Sequence, residues 1–198
     1  LYLGATPVLI GSEKETWNLC PIALEEAILN QLNKGIQPKA IVVVHLYGMP
    51  AKMNEISAIS KKYNIPILED AAEALGSSYY NQPCGTFGDF GVLSFNGNKI
   101  ITTSGGGGLI CQSETAKEKA IFLATQAKED AIHYEHKHIG YNYRMSNISA
   151  SIGLGQLEVL SKHIQLRKQN HLFYKQLFDT LSEVTLHQEP NENFISNH

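Results

Sequence analysis

The sequence predicts an α/β protein whose mostly parallel sheet is flanked by helices. Short apolar runs alternate with longer amphipathic stretches along the chain, which is the pattern of strand–helix–strand units. The most apolar run, Ala40–His45 (A-I-V-V-V-H), is unbroken and β-branched, as expected of a strand covered on both faces. Prolines at 21 and 50 stand where helices begin, a position where a missing N–H costs little.

In chain order, the expected strands are Pro7–Ile10, Ala40–His45, Ile65–Glu69, Gly91–Phe95 and Gly108–Cys111. The expected helices are Ile22–Lys34, Met53–Tyr63 and Ser113–Thr125, with one long helix from Asn147 to about Thr180. That last stretch carries Ile148, Ile152, Leu157, Leu160, Ile164, Leu172 and Leu177 at roughly helical spacing. No internal repeat and no low-complexity segment is visible.

Bulk properties narrow the function. The 198 residues are 43% apolar and 18% charged, ordinary for a globular protein. A formal net charge of −3 offers no electrostatic reason for nucleic acid or an anionic membrane as partner. No apolar run approaches the ~18 residues of a membrane-spanning helix, and no signal peptide is seen. Cys20, Cys84 and Cys111 are few, odd in number and far apart. They read as reduced thiols in a cytoplasmic protein, not as a disulfide framework or a zinc site.

Chemistry concentrates around Lys99. It follows S-F-N-G-N and precedes I-I-T-T-S and four glycines, Gly105 to Gly108. Burial penalises a lysine's charged form, and a lysine that loses its proton easily is a candidate to condense with a carbonyl. About thirty residues upstream, Ile67-Leu68-Glu69-Asp70-Ala71-Ala72-Glu73 is an apolar run ending in carboxylates. An amine near one strand end and an acid at another is the pair that pyridoxal phosphate (PLP) needs: the amine for its aldehyde, the acid for its pyridinium nitrogen. Taken alone, Asp70 also reads as a helix N-cap or turn residue. Ser94, five residues before Lys99, offers a hydroxyl and following N–H groups to a phosphate, or is an ordinary turn serine.

Other features are weaker. Gly105–Gly108 lacks the G-x-G-x-x-G-helix context and has no GK[ST], so it reads as a tight turn that admits close backbone approach. His133, His136 and His138 match no common metal spacing and read as part of a solvated loop; no metal site is expected. His45 ends its strand either facing a ligand or satisfied within the protein.

Together, E-D-A-A-E-A, then G-T-F-G-D-F-G-V-L-S-F-x-x-x-K, then G-Y-N-Y-R-M-S-N-I resemble the DegT/DnrJ/EryC1/StrS sugar aminotransferases, PLP enzymes of fold type I. The resemblance runs over almost the whole chain. Within the family, S-F-N-G-N-K-I-I-T-T-S-G-G-G is most similar to enzymes that aminate a UDP-4-keto-6-deoxy-N-acetylhexosamine, the UDP-bacillosamine type. The resemblance implies that Lys99 is catalytic and carries the cofactor, with Asp70 on the ring nitrogen, Glu73 beside the 3-hydroxyl and Ser94 on the phosphate. It implies that Asn142 reaches the phosphate of a neighbouring subunit in a homodimer, with Arg144 as the fallback. Where many members have G-E-G-G, Gly105 stands in place of the acid.

The substrates implied are a nucleotide-linked keto sugar and glutamate. Related chemistry in the family includes dehydration, but dehydrating members replace the lysine with histidine, so Lys99 argues against it. A different class of reading is a non-catalytic domain that binds nucleotide sugar or only dimerises. By the same resemblance, residues 1–145 correspond to the cofactor-binding core of the large domain, with its N-terminal part missing. Residues 146–181 would be a long interdomain helix and 182–198 the start of a truncated small domain. Such a chain is expected not to turn over by itself.

Overall fold

The computed structural model describes residues 3–198. Its central sheet has four strands in the order β1 (Ile41–Val44), β2 (Ile67–Asp70), β5 (Phe90–Ser94), β6 (Gly107–Cys111). The first three run parallel, and β6 pairs antiparallel with β5. The mostly parallel α/β sheet expected from the sequence is therefore present. Helices α1 (Pro21–Asn33), α2 (Met53–Tyr63) and α3 (Glu114–Ala124) fall within a residue of their expected bounds.

Helical spacing explains the main core. Leu24 and Ile28 of α1 and Met53, Ile56 and Ile59 of α2 project onto one face of the sheet, where they meet Ile41, Val43 and Ile67. Pro21 starts α1, and Asn64 ends α2 in the left-handed conformation at φ 51°.

Three sequence expectations are corrected and one element is added. Ala40–His45 is covered on one face only: Val43 is fully buried, while Val42 and Val44 are 54% and 41% exposed. Pro7–Ile10 is not a strand. No described segment pairs with it, and Leu9 is exposed; the nearby backbone makes only an isolated bridge between Ser12 and Leu19. The long helix is two helices, α4 (Asn147–Glu158) and α5 (Leu160–Phe178), broken at Val159, whose ψ of 5° leaves the helical range. Finally, a second sheet was not foreseen. Its strands β3 (Ser78–Tyr79), β4 (Gln82–Pro83) and β7 (Phe194–Ile195) are two residues each, too short for a periodic signal.

The second sheet brings residues 194–197 back onto the core beside the central sheet. Phe194 is buried against Tyr79 with ring centroids 4.7 Å apart. Asn197 is fully buried and donates to the carbonyls of Glu73 (2.7 Å) and Leu75 (3.0 Å). Elsewhere much apolar surface stays open. The chain exposes 13089 Å², against roughly 9,300 Å² expected for a compact monomer of this mass. The uncovered sheet face and the apolar side chains of α4 and α5, none of them buried, contribute to the excess.

Candidate active site

Parallel register collects three strand ends at one edge. Val44 pairs with Asp70, and Asp70 with Val92, so the chain leaves β1, β2 and β5 on the same side of the sheet. Ligands of open α/β sheets gather at such carboxyl ends. The turn after β1 brings Tyr47, the turn after β2 brings Glu73, and the turn after β5 brings Lys99. The Lys99 N–H closes that last turn on the Asn96 carbonyl at 3.1 Å.

Lys99 and Glu73 meet across this edge. Lys99 Nζ lies 3.3 Å from Glu73 Oε1, and the other carboxylate oxygen accepts the Tyr47 N–H at 2.8 Å. Tyr47 holds an uncommon left-handed backbone, φ 54°, a conformation that costs of order 1 kcal/mol or more and concentrates at functional sites. The two side chains open into a cleft of about 350 Å³. Its other lining residues include Trp17, Asn98, Arg167, His187 and His198.

The remaining expected residues divide. Asp70 closes β2 at the same sheet edge but does not line the cleft; its Oδ1 accepts the Ala72 N–H at 3.1 Å, so it also serves as a turn residue. Ser94 ends β5, with its Oγ accepting from Asn96 N–H at 3.4 Å. Gly107, opposite Ser94 in the register, allows close approach, since a Cβ there would lie 2.4 Å from the Leu93 carbonyl oxygen. Asn142 and Arg144 are exposed and away from the cleft; Asn142 makes an isolated bridge with Thr125. In the histidine-rich loop, His136 Nδ1 pairs with the Gln126 carbonyl at 3.0 Å, and among the described residues no cluster of three or more metal-ligating side chains occurs.

Two groups escaped the sequence reading. The first is Glu69, fully buried, whose carboxylate receives His45 Nε2 at 2.9 Å and the N–H groups of Gly85 (2.8 Å), Phe87 and Gly88 (2.6 Å each). His45 Nδ1 accepts the Ala51 N–H at 3.0 Å, which places the ring proton on Nε2, towards Glu69. His45 is thus satisfied inside the protein. Burial pushes the Glu69 carboxyl up, but the hydrogen bonds from His45 and the loop N–H groups outweigh it and hold the group below its ordinary value. A strand-borne Glu in an otherwise apolar run, beside a strand-end His, was the available signal. The second group is Trp17, Arg167 and His187, contributed from distant segments with no local pattern to mark them.

The donor set fits PLP. An amine, a carboxylate and a hydroxyl stand at adjoining strand ends, and the cleft is of a size that small-ligand sites have. An open α/β sheet whose strand-end turns present one lysine and one carboxylate to a cleft is compatible with a lysine-held carbonyl cofactor. Comparison with known proteins is more specific. The profile of the DegT/DnrJ/EryC1/StrS aminotransferase family matches residues 1–198, and the chain belongs to that family.

Similar proteins agree. EpsN of Bacillus subtilis (strain 168), a provisionally assigned pyridoxal phosphate-dependent aminotransferase, is 52% identical over 184 residues, 93% of this chain and 47% of its own length. GDP-perosamine synthase of Escherichia coli O157:H7 is 39% identical over 193 residues, 98% of this chain and 51% of its own. The crystal structure of a DegT DnrJ EryC1 StrS aminotransferase from Brucella abortus superposes with a TM-score of 0.91 at 28% identity, covering 99% of this chain and 52% of that one. The chain spans about half the length of the curated relatives it matches.

Proposed function

We propose that this chain supplies the PLP-holding part of the site for transamination of a nucleotide-linked 4-keto-6-deoxy sugar, with glutamate as the amino donor. The carrying observation is Lys99, set at a strand-end cleft with its ammonium 3.3 Å from Glu73. When bound, PLP supplies an electron sink and a carrier for the amine. The chain's own groups do the rest. Lys99 would hold the cofactor through its aldehyde, and its amine would be the general base and acid that moves the substrate proton. Glu73 steadies the Lys99 ammonium and is itself fixed by the Tyr47 N–H. Asp70 is assigned to the ring nitrogen, where a carboxylate keeps a proton in place through a charge-assisted bond. Ser94 is assigned to the phosphate, and Asn142, exposed here, to the phosphate of a second subunit in a homodimer. The relative named GDP-perosamine synthase supports a nucleotide-linked sugar as acceptor; a UDP-linked sugar is the choice favoured by the S-F-N-G-N-K segment.

Steady turnover is not expected of this chain by itself, so the test is a single half-reaction. The chain loaded with pyridoxamine phosphate is mixed with UDP- or GDP-linked 4-keto-6-deoxy sugars, and products are weighed by mass spectrometry. Amination of one keto sugar, with none of its 4-hydroxy parent, supports the proposal. Cofactor uptake with no sugar aminated would leave only a cofactor-binding domain.

A further inference from the structure

The cleft has a second wall, facing Lys99, that the amino-transfer reading leaves unused. Arg167 of α5 is half-buried there. Among the described residues its guanidinium has no carboxylate within 4.0 Å, although Lys168 next to it pairs with Glu189. Beside it, His187 stacks on Trp17 with ring centroids 4.1 Å apart and planes 15° from parallel. His187 Nε2 donates to the Glu15 carbonyl at 2.9 Å, and Trp17 is held at φ 61°, so the pair is locked in place. His198 also lines the cleft, and its Nδ1 is buried without a partner.

Charge in the cleft does not balance. Among the described residues Glu73 is the only carboxylate side chain that lines it, and that group is engaged by Lys99 and the Tyr47 N–H. Burial, with His171, His187 and Arg167 nearby, pushes the His198 pKa down, so this ring adds no charge near neutral pH. One guanidinium is left over, a planar fork of donors shaped for a two-oxygen anion. A partly dry cation without an anion is unfavourable, and an incoming oxyanion relieves it.

We infer that Arg167, backed by the His187–Trp17 stack, binds an oxyanion of the substrate, a carboxylate or a phosphate. The inference rests on the proposed amino transfer for its two candidate sources, the amino donor's carboxylate and the nucleotide's diphosphate. Arg167 is then a specificity-determining residue that fixes how the substrate is presented to Lys99.

Trp17 is the only tryptophan, so its emission reports on this wall. The chain without cofactor is titrated in low-salt buffer with glutarate in one arm and UDP in the other. A saturable change is expected with at least one of them, and the arm that responds identifies the source. Arg167→Gln is expected to weaken that binding roughly tenfold or more, Arg167→Lys to restore part of it, and the distant Lys62→Gln to leave it unchanged. No response to either anion, or a response indifferent to Arg167→Gln, overturns the inference. Fixation of PLP on Lys99 by borohydride is read separately. A label without an Arg167-dependent anion response overturns the anion site alone; an anion response without a label supports the anion site and overturns the amino-transfer reading.

Discussion

Glu69 and His45 meet inside the sheet, Oε2 to Nε2 at 2.9 Å, with both side chains fully buried. The contact joins the end of β2 to the residue that follows β1. From the same carboxylate, bonds run to the N–H groups of Gly85, Phe87 and Gly88. One side chain therefore ties together two strand ends and the loop leading into β5. The turns carrying Tyr47, Glu73 and Lys99 all spring from those elements, so a rigid base lies under the cleft.

Removing the carboxylate should cost stability more than any surface change. Glu69→Ala leaves three buried donors and one part-buried donor unpaired and is expected to destabilise the chain by about 3–5 kcal/mol, as breaking a buried pair does. Thermal or urea unfolding measures it. A loss within the ~0.5 kcal/mol of surface substitutions would contradict the role.

Acid should find the same group. The folded Glu69 carboxyl titrates below its ordinary value of 4.5. Its stabilisation is therefore complete above that value and is lost as pH falls through the lower, folded one. Melting temperatures followed from about pH 7 to about pH 3 should fall less steeply in Glu69→Gln than in the parent. Parallel curves would show that Glu69 does not carry the acid sensitivity.

Gly91 is the position in β5 least tolerant of a side chain. A Cβ there would lie 2.0 Å from the Gly85 carbonyl oxygen, against backbone that cannot swing aside. Gly91→Ala is expected to cost about 1–3 kcal/mol or more through overpacking. It should also lower the soluble yield. An unchanged unfolding midpoint would show that the loop yields easily.

Asp70→Asn separates chemistry from folding. Asn keeps an acceptor oxygen for the Ala72 N–H, so circular dichroism and unfolding should barely change. It loses the charge assigned to the ring nitrogen, and the half-reaction with glutamate should slow by about a hundredfold or more, as when a preorganised catalytic group is removed. A near-normal rate would remove Asp70 from the mechanism.

Much of this architecture was legible beforehand because local signals agreed with the fold. The proline start and apolar spacing of α1 and α2, and the β-branched run of β1, act within a few residues. What was missed depends on partners far along the chain. Pro7–Ile10 has strand-like residues, but no described strand pairs with it. The break at Val159 interrupts an apolar spacing that reads as continuous. Phe194 reaches Tyr79 across more than a hundred residues, which no local pattern encodes. In the site, Lys99 stood out because a charged group beside an apolar run is costly, whereas Glu73 was marked only by the family resemblance. Arg167, His187 and Trp17 come from three separate segments and carry no such mark. His45 was ambiguous until its partner, Glu69, was seen.

The central claim is that Lys99 holds the cofactor, and one measurement addresses it most directly. The chain is incubated with PLP, reduced with borohydride, digested, and its peptides mapped by mass spectrometry. The label should fall on the peptide containing Asn98-Lys99-Ile100 and vanish in Lys99→Ala. A label that persists in that variant, or that maps to Lys34, Lys137 or any other lysine, would contradict the account.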